Sequence, residues 1–204
     1  FSINNKISHS INLKLEKYSS DLERLAFTDR TTGLANAQQL SKDMEKKQAE
    51  KDFTDQTYVM IGFRIEGLEI INETKGIEYA NQLLRDLVLL YQTNATKDLS
   101  NNKSIFFTKG FSTLYRIESN TFAYLLTNQK GVPYEQQPKF FIKQAIDQIL
   151  AEYNENFPLS FRGGISIFPV DANNLEQLTR NVLNIVHSKS PEGLGVFTFF
   201  EQNR

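Results

Sequence analysis

Cysteine is absent from the chain, which excludes disulfides, thiolate-bound zinc and thiol catalysis. Histidine is nearly absent. Only His9 and His187 occur, too few and too far apart in sequence to suggest a histidine metal centre, and His187 reads as a surface or boundary residue of a predicted helix. An excess of either charge is also missing: 23 Lys and Arg stand against 24 Asp and Glu. A balanced surface supplies no field to recruit nucleic acid or an acidic membrane face, so no nucleic-acid partner is expected. Long hydrophobic runs are lacking too. None approaches the roughly 20 residues that a membrane span requires, and no signal-peptide pattern is present. A soluble chain is expected.

Against these absences, 204 residues with 40% hydrophobic content and 16 Phe suffice to bury a core of ordinary size, which predicts one domain plus an appendage. The chain opens at Phe1, and its first residues read like the middle of a sequence, so a piece of a larger protein is expected.

From Ile11 the apolar positions Ile11, Leu15, Tyr18, Leu22 and Leu25 follow a heptad seam, which predicts an N-terminal helix. That helix either packs on its own domain, pairs with a second chain, or continues from an upstream module; Glu16, Lys17, Asp21, Glu23 and Arg24 form its solvated faces. The predicted division is residues 1–26 as a signalling, coiled-coil-like helix and 27–204 as the body. Gly33 breaks the periodicity between Asp29 and Asn36, and a polar helix is predicted from about Ala37 to Lys51. Thr57 to Ile65 is rich in β-branched and aromatic residues and reads as a buried strand.

Ala80, Leu83, Leu84, Leu87, Val88 and Tyr91 recur at helical spacing up to about Thr93, a core stripe. Thr93 to Ser104 is polar and predicts a loop; Ile105 to Phe107 reads as a short strand or packing plug. Leu114 to Leu126 alternates on both sides of Ser119-Asn120, the pattern of a hairpin with a tight turn. A loop through Gly131, Pro133 and Pro138 follows. Then comes a helix from about Lys139 to Asn154, with Ile142, Ile146, Ile149, Leu150 and Tyr153 on one face. Leu159 to Phe168 reads as a strand interrupted at Gly163-Gly164, where absent side chains allow a bulge or a close backbone approach. Leu175, Leu178, Val182, Ile185 and Val186 mark a last helix, and Val196 to Phe200 a final strand. The centre is a βαββαβ arrangement: an α+β fold, a ferredoxin-like palm whose antiparallel sheet carries flanking helices over one face.

Four segments share an order and spacing: Thr28-Asp29-Arg30-Thr31-Thr32-Gly33-Leu34-Ala35-Asn36, the stretch Arg64 to Asn81, the hairpin, and Arg162-Gly163-Gly164-Ile165-Ser166. Together they resemble a GGDEF domain, the nucleotide-cyclase-like fold of diguanylate cyclases, over roughly Leu25 to Phe200. In the family motif Asp-x-Leu-Thr-Gly-Leu-x-Asn-Arg, residues Asp29, Thr32, Gly33, Leu34 and Asn36 match, while Thr31 and Ala37 depart. At the hairpin tip the family's Gly-Gly-Asp/Glu-Glu-Phe is replaced by Glu118-Ser119-Asn120-Thr121-Phe122, which keeps only the Phe.

The resemblance implies a chemistry that these residues no longer serve. Joining two GTP molecules relies on Mg²⁺ to neutralise phosphate charge, and magnesium prefers carboxylate oxygens. Of the two family ligand positions, one is Arg64 and the other Thr121. Glu66 alone is a weak magnesium site, and the added cation repels a second. Glu118 and Ser119, with Asn120, place side chains where bare glycine backbone would let a nucleotide lie. The family's guanine-reading pair falls on Asn72 and Asn81. Its phosphate-contacting lysine falls on Lys189, which reads equally as a surface residue at a helix end; the arginine that should follow is replaced by Pro191-Glu192-Gly193-Leu194. The inhibitory Arg-x-x-Asp motif is replaced by Lys109-Gly110-Phe111-Ser112.

A degenerate, catalytically inactive GGDEF-like regulatory domain is therefore expected. It would relay signals in bacterial cyclic di-GMP signalling to a neighbouring effector such as an EAL phosphodiesterase domain. The expected partners are sensor and effector domains of the same chain, a homodimer through the N-terminal helix, and a weakly held guanine nucleotide. The expected location is the cytoplasm, alone or as the cytoplasmic part of a membrane-anchored protein. No metal and no cofactor are expected. The alternatives are a GTP-sensing module without turnover, an unrelated ferredoxin-like domain, and a residual diguanylate cyclase using Mg²⁺ with Glu66, Glu69 or Glu73 as substitute ligands.

Overall fold

The computed structural model describes residues 2–100, 114–127, 138–153 and 157–200. Its central element is β2 (Tyr58–Glu66), whose residues alternate between two buried surfaces. Val59, Ile61, Phe63 and Ile65 face one apolar cluster, and Tyr58 and Met60 face another. Such alternation is the two-residue period of a strand buried on both sides.

Among the described residues the strands form one sheet in the order β1-β3-β4-β2-β5-β6, with β1 Ala35–Asn36, β3 Leu114–Arg116, β4 Thr121–Thr127, β5 Ser160–Phe168 and β6 Phe197–Phe199. The inner pairings, β3 with β4, β4 with β2 and β2 with β5, are antiparallel. Both outer pairings, β1 with β3 and β5 with β6, are parallel. The sheet is thus mixed rather than antiparallel throughout. Helices also cover both of its faces rather than one. On one side α3 (Leu68–Lys75), α4 (Ile77–Ser100) and α5 (Pro138–Tyr153) bury Ile71, Leu83, Leu87, Ile146 and Ile149 against the sheet. On the other, α2 (Ala37–Gln48) and α6 (Leu175–Val186) bury Leu40, Met44, Leu178 and Val182.

Two glycines set how closely these layers approach. A Cβ at Gly62 would run into the Val182 side chain, so bare backbone lets α6 seat directly on β2. At Gly163 a Cβ would collide with the Phe197 ring. The strand β5 runs unbroken through Gly163-Gly164; of the two readings for that pair, close approach is the one observed.

Helix α4 continues through Ser100, so the loop expected from Thr93 is helical over at least eight residues. Turn-like composition does not by itself exclude a helix. Pro138 lies in α5 instead of belonging to the preceding loop. The short elements β1 and α3 went unpredicted. Ile105–Phe107, Lys109–Ser112, Gly131 and Pro133 lie outside the described residues.

The N-terminal helix α1 (Ser2–Phe27) leaves its seam in solvent: Ile11, Leu15, Tyr18, Leu22 and Leu25 are all exposed. Its last turn is anchored to the body. Asn36 donates from Nδ2 to Ala26 O at 2.8 Å while its Oδ1 caps α2, and Lys42 lies over the Phe27 ring. No helix among the described residues is long and apolar enough to cross a membrane.

Candidate functional site

The parity that makes β2 a core strand also carries its last residues into a polar group. Arg64 and Glu66 continue the face of Met60 and Gly62, and register sets Arg64 opposite Thr121 on β4 and opposite Arg162 on β5. Glu66 lies between the guanidiniums, 4.0 Å from Arg64 Nε and 3.9 Å from Arg162 Nε, beyond hydrogen-bonding reach of both. Arg162 is buried and donates to Glu192 O and Ser190 O, each at 2.7 Å. It thereby holds the segment that follows α6. Both Nε atoms are buried and find no acceptor among the described residues.

The hairpin tip closes over the strand end. Thr121 N reaches back to Glu118 O at 3.5 Å, which leaves Ser119 and Asn120 as the central residues of the turn. Asn120 then ties the tip to β2 twice: Ile65 N donates to Asn120 O at 2.9 Å, and Asn120 Nδ2 donates to Ile65 O at 2.8 Å. Thr121 is fully buried and its hydroxyl donates to Glu118 Oε2 at 3.2 Å. The same carboxylate oxygen lies 2.7 Å from His187 Nε2. His187, read from sequence as a surface or boundary residue, is exposed at the C-cap of α6 and joins the end of that helix to the tip.

A second arginine group lies on the other side of the hairpin. Arg116 donates to Asp29 Oδ1 at 2.8 Å and, through Nε, to Ser119 O at 3.1 Å. A further bond runs from its second terminal nitrogen to Ser119 O. Thr32 donates to Asp29 from both its backbone and its hydroxyl. Burial pushes the Asp29 carboxyl up, but the Thr32 hydroxyl, Arg116 and the Thr32 backbone together outweigh it and hold the group below the ordinary carboxylate value. The turn after α1 is thus pinned to the hairpin tip.

The remaining sequence candidates stand apart from the strand-end group. Asn72 is exposed on α3, with Glu69 and Glu73 also exposed there. Asn81, half-buried on α4, gives its side chain to Glu78, which also pairs with Arg85 at 2.5 Å. Lys189 is exposed within the segment held by Arg162. Arg116 and Arg162 organise these two groups, and neither was singled out from the sequence for a role. One signal was available for Arg162: an arginine inside an apolar strand is almost never buried without a partner.

The residues present do not fit a divalent cation. Magnesium requires six oxygen donors in near-octahedral geometry. The carboxylate at the strand end is flanked by two guanidiniums, the Thr121 hydroxyl is engaged by Glu118, and the Ile65 carbonyl accepts from Asn120. No cluster of three or more Asp, Glu or His that could hold a metal ion occurs among the described residues.

No protein-family model matches the sequence, and no curated protein matches it. Comparison of folds does find matches. The coiled coil and GGDEF domain of DgcB from Caulobacter crescentus, in complex with c-di-GMP, aligns over 98% of this chain and 100% of that one, with a TM-score of 0.67 at 14% identity. A diguanylate cyclase/phosphodiesterase structure from Caldicellulosiruptor saccharolyticus covers 87% of this chain and 95% of its own, with a TM-score of 0.54 at 22% identity. The S helix-GGDEF-EAL structure of Vibrio cholerae LapD, bound to c-di-GMP, matches 93% of this chain through 41% of its own length, with a TM-score of 0.60 at 16% identity. The fold is therefore that of GGDEF diguanylate cyclase domains, α1 included.

Proposed function

We propose that this chain is a catalytically silent GGDEF-type domain that relays signals in cyclic di-GMP signalling from an upstream sensor to a neighbouring effector, such as an EAL phosphodiesterase domain, in the cytoplasm. The observation that carries the reading is the register at the strand end. Arg64 sits between Thr121 and Arg162, so a cation-rich pair occupies the place where the resemblance would put carboxylate ligands. Metal-assisted attack on an α-phosphorus needs anionic donors that these positions lack.

The relay has a physical path in the fold. The exposed seam of α1 offers an apolar stripe to a second copy, and the last turn of that helix is held by Asn36 and leads into the Asp29 turn, which Arg116 joins to the hairpin tip. A change of register between paired helices would reach the tip through that chain of bonds. Incubating the domain with GTP and Mg²⁺ or Mn²⁺ and separating the nucleotides by chromatography tests the silence. No cyclic dinucleotide is expected, and its formation in proportion to protein would overturn the reading.

A further inference from the structure

Arg64 is a partly buried charged group at the polar end of the fold. Its guanidinium makes no hydrogen bond to any described residue, its Nε is buried, and its nearest carboxylate oxygen, on Glu66, stands 4.0 Å away. Arg162 beside it uses its terminal nitrogens on two loop carbonyls but leaves Nε unpaired. Two guanidiniums thus share the Glu66 carboxylate, none of whose oxygens lies within hydrogen-bonding distance of either Nε. Buried donors in this condition are costly unless an acceptor arrives. Arginine's planar fork matches the oxygens of a phosphate group.

We infer that the strand end is a phosphate-binding site that works without a divalent cation, with Arg64 itself as the counter-ion and Arg162 fixing the wall behind it. A cation added to such a site would compete with Arg64 for the same oxygens, so Mg²⁺ should not strengthen binding. Glu66 faces the incoming anion and opposes it. Glu118 does so less, because its Oε2 is engaged by Thr121 and His187. The phosphate could be free or carried on a nucleotide, and the probes below distinguish these sources.

Calorimetric titration of the whole chain in EDTA, then in Mg²⁺, with pyrophosphate, GDP and guanosine tests the site. The expected result is GDP binding in EDTA that Mg²⁺ leaves unchanged or weakens, with guanosine at least about tenfold weaker, as loss of charge-assisted hydrogen bonds would give. Pyrophosphate binding as well as GDP identifies a free-phosphate site; GDP binding far more tightly identifies a nucleotide site. Arg64→Ala should weaken the tighter probe about tenfold or more, Arg64→Lys should retain part of the affinity, and Glu66→Gln should tighten it about threefold by removing the opposing charge. Thermal melts establish that each variant folds, and Arg64→Gln substitutes for the alanine variant if that one does not. Binding that requires Mg²⁺, an Arg64→Ala variant that binds as tightly as the parent, or no binding of any probe would overturn the inference. Absence of binding would leave the relay reading standing, whereas a cyclic dinucleotide made from GTP would overturn that reading alone.

Discussion

Two arginine groups flank the hairpin tip, and they are built in opposite ways. Arg116 meets an Asp29 carboxylate and a Ser119 carbonyl at hydrogen-bonding distance, and the carboxylate is further held by Thr32. Arg64 and Arg162 meet Glu66 only at 4.0 and 3.9 Å, and neither Nε has an acceptor. The first group is closed and behaves as a structural clamp. The second is open, with donors held by the sheet and no internal match. Among charged side chains in one fold, the completeness of partnering separates those that hold the chain together from those that wait for something else.

Breaking the clamp should have the largest effect. Arg116→Ala removes charge-assisted bonds and strands a partly buried Asp29 carboxylate, which should cost about 2–3 kcal/mol. A thermal melt should show a midpoint lower by about 5–10 °C. Arg64→Leu offers the contrast: removing a half-buried charge that has no close partner should leave stability unchanged or raise it by about 1 kcal/mol, measured by urea unfolding. A loss as large as that of Arg116→Ala would show the two groups to be equivalent.

The clamp should also declare itself in pH dependence. The folded state holds the Asp29 carboxyl below its ordinary value, so its contribution is present at neutral pH. That contribution is lost as pH falls below about 4 and through the lowered folded value. Melting midpoints recorded across that range should fall on acidification in the parent and less steeply in Arg116→Ala, where one cause of the lowering is gone. A smaller effect belongs to the exposed Glu118–His187 pair, whose His187→Ala variant should lose no more than about 0.5 kcal/mol by urea unfolding. Smallest of all should be Leu15→Glu combined with Leu22→Glu. Those side chains face solvent, so the body should melt at the parent temperature while sedimentation shows any self-association weakened. A collapse of cooperative unfolding there would place the seam in the core.

Much of the fold was legible because its elements are encoded by near neighbours. The β2 run from Thr57, the α6 stripe from Leu175 to Val186 and the alternation around Ser119-Asn120 announce themselves through spacing, since burial acts on one face at a time. The errors have equally local causes. Thr93 to Ser100 carries turn-forming letters on a helix, because propensity is weak against the continuation of an anchored helix. Ala35–Asn36 is too short to show a period, and its parallel pairing with Tyr115 and Arg116 joins residues eighty apart.

The sequence by itself determined that Glu118 and Ser119 stand at the hairpin tip, where the resemblance expects glycines, and that arginine stands at position 64, where it expects an acid. It also determined that a heptad seam leads into the Asp29 turn. Only the tertiary structure decided that Arg64 lies beside Arg162 with Glu66 between them, that His187 reaches Glu118, and that Arg116 locks the tip to the turn after α1. Each of these contacts spans tens of residues. For Arg64 the neighbour is chosen by strand register, which follows from which face every strand must bury, and the α6 cap and the Asp29 turn reach the tip only once helices and strands have assembled together.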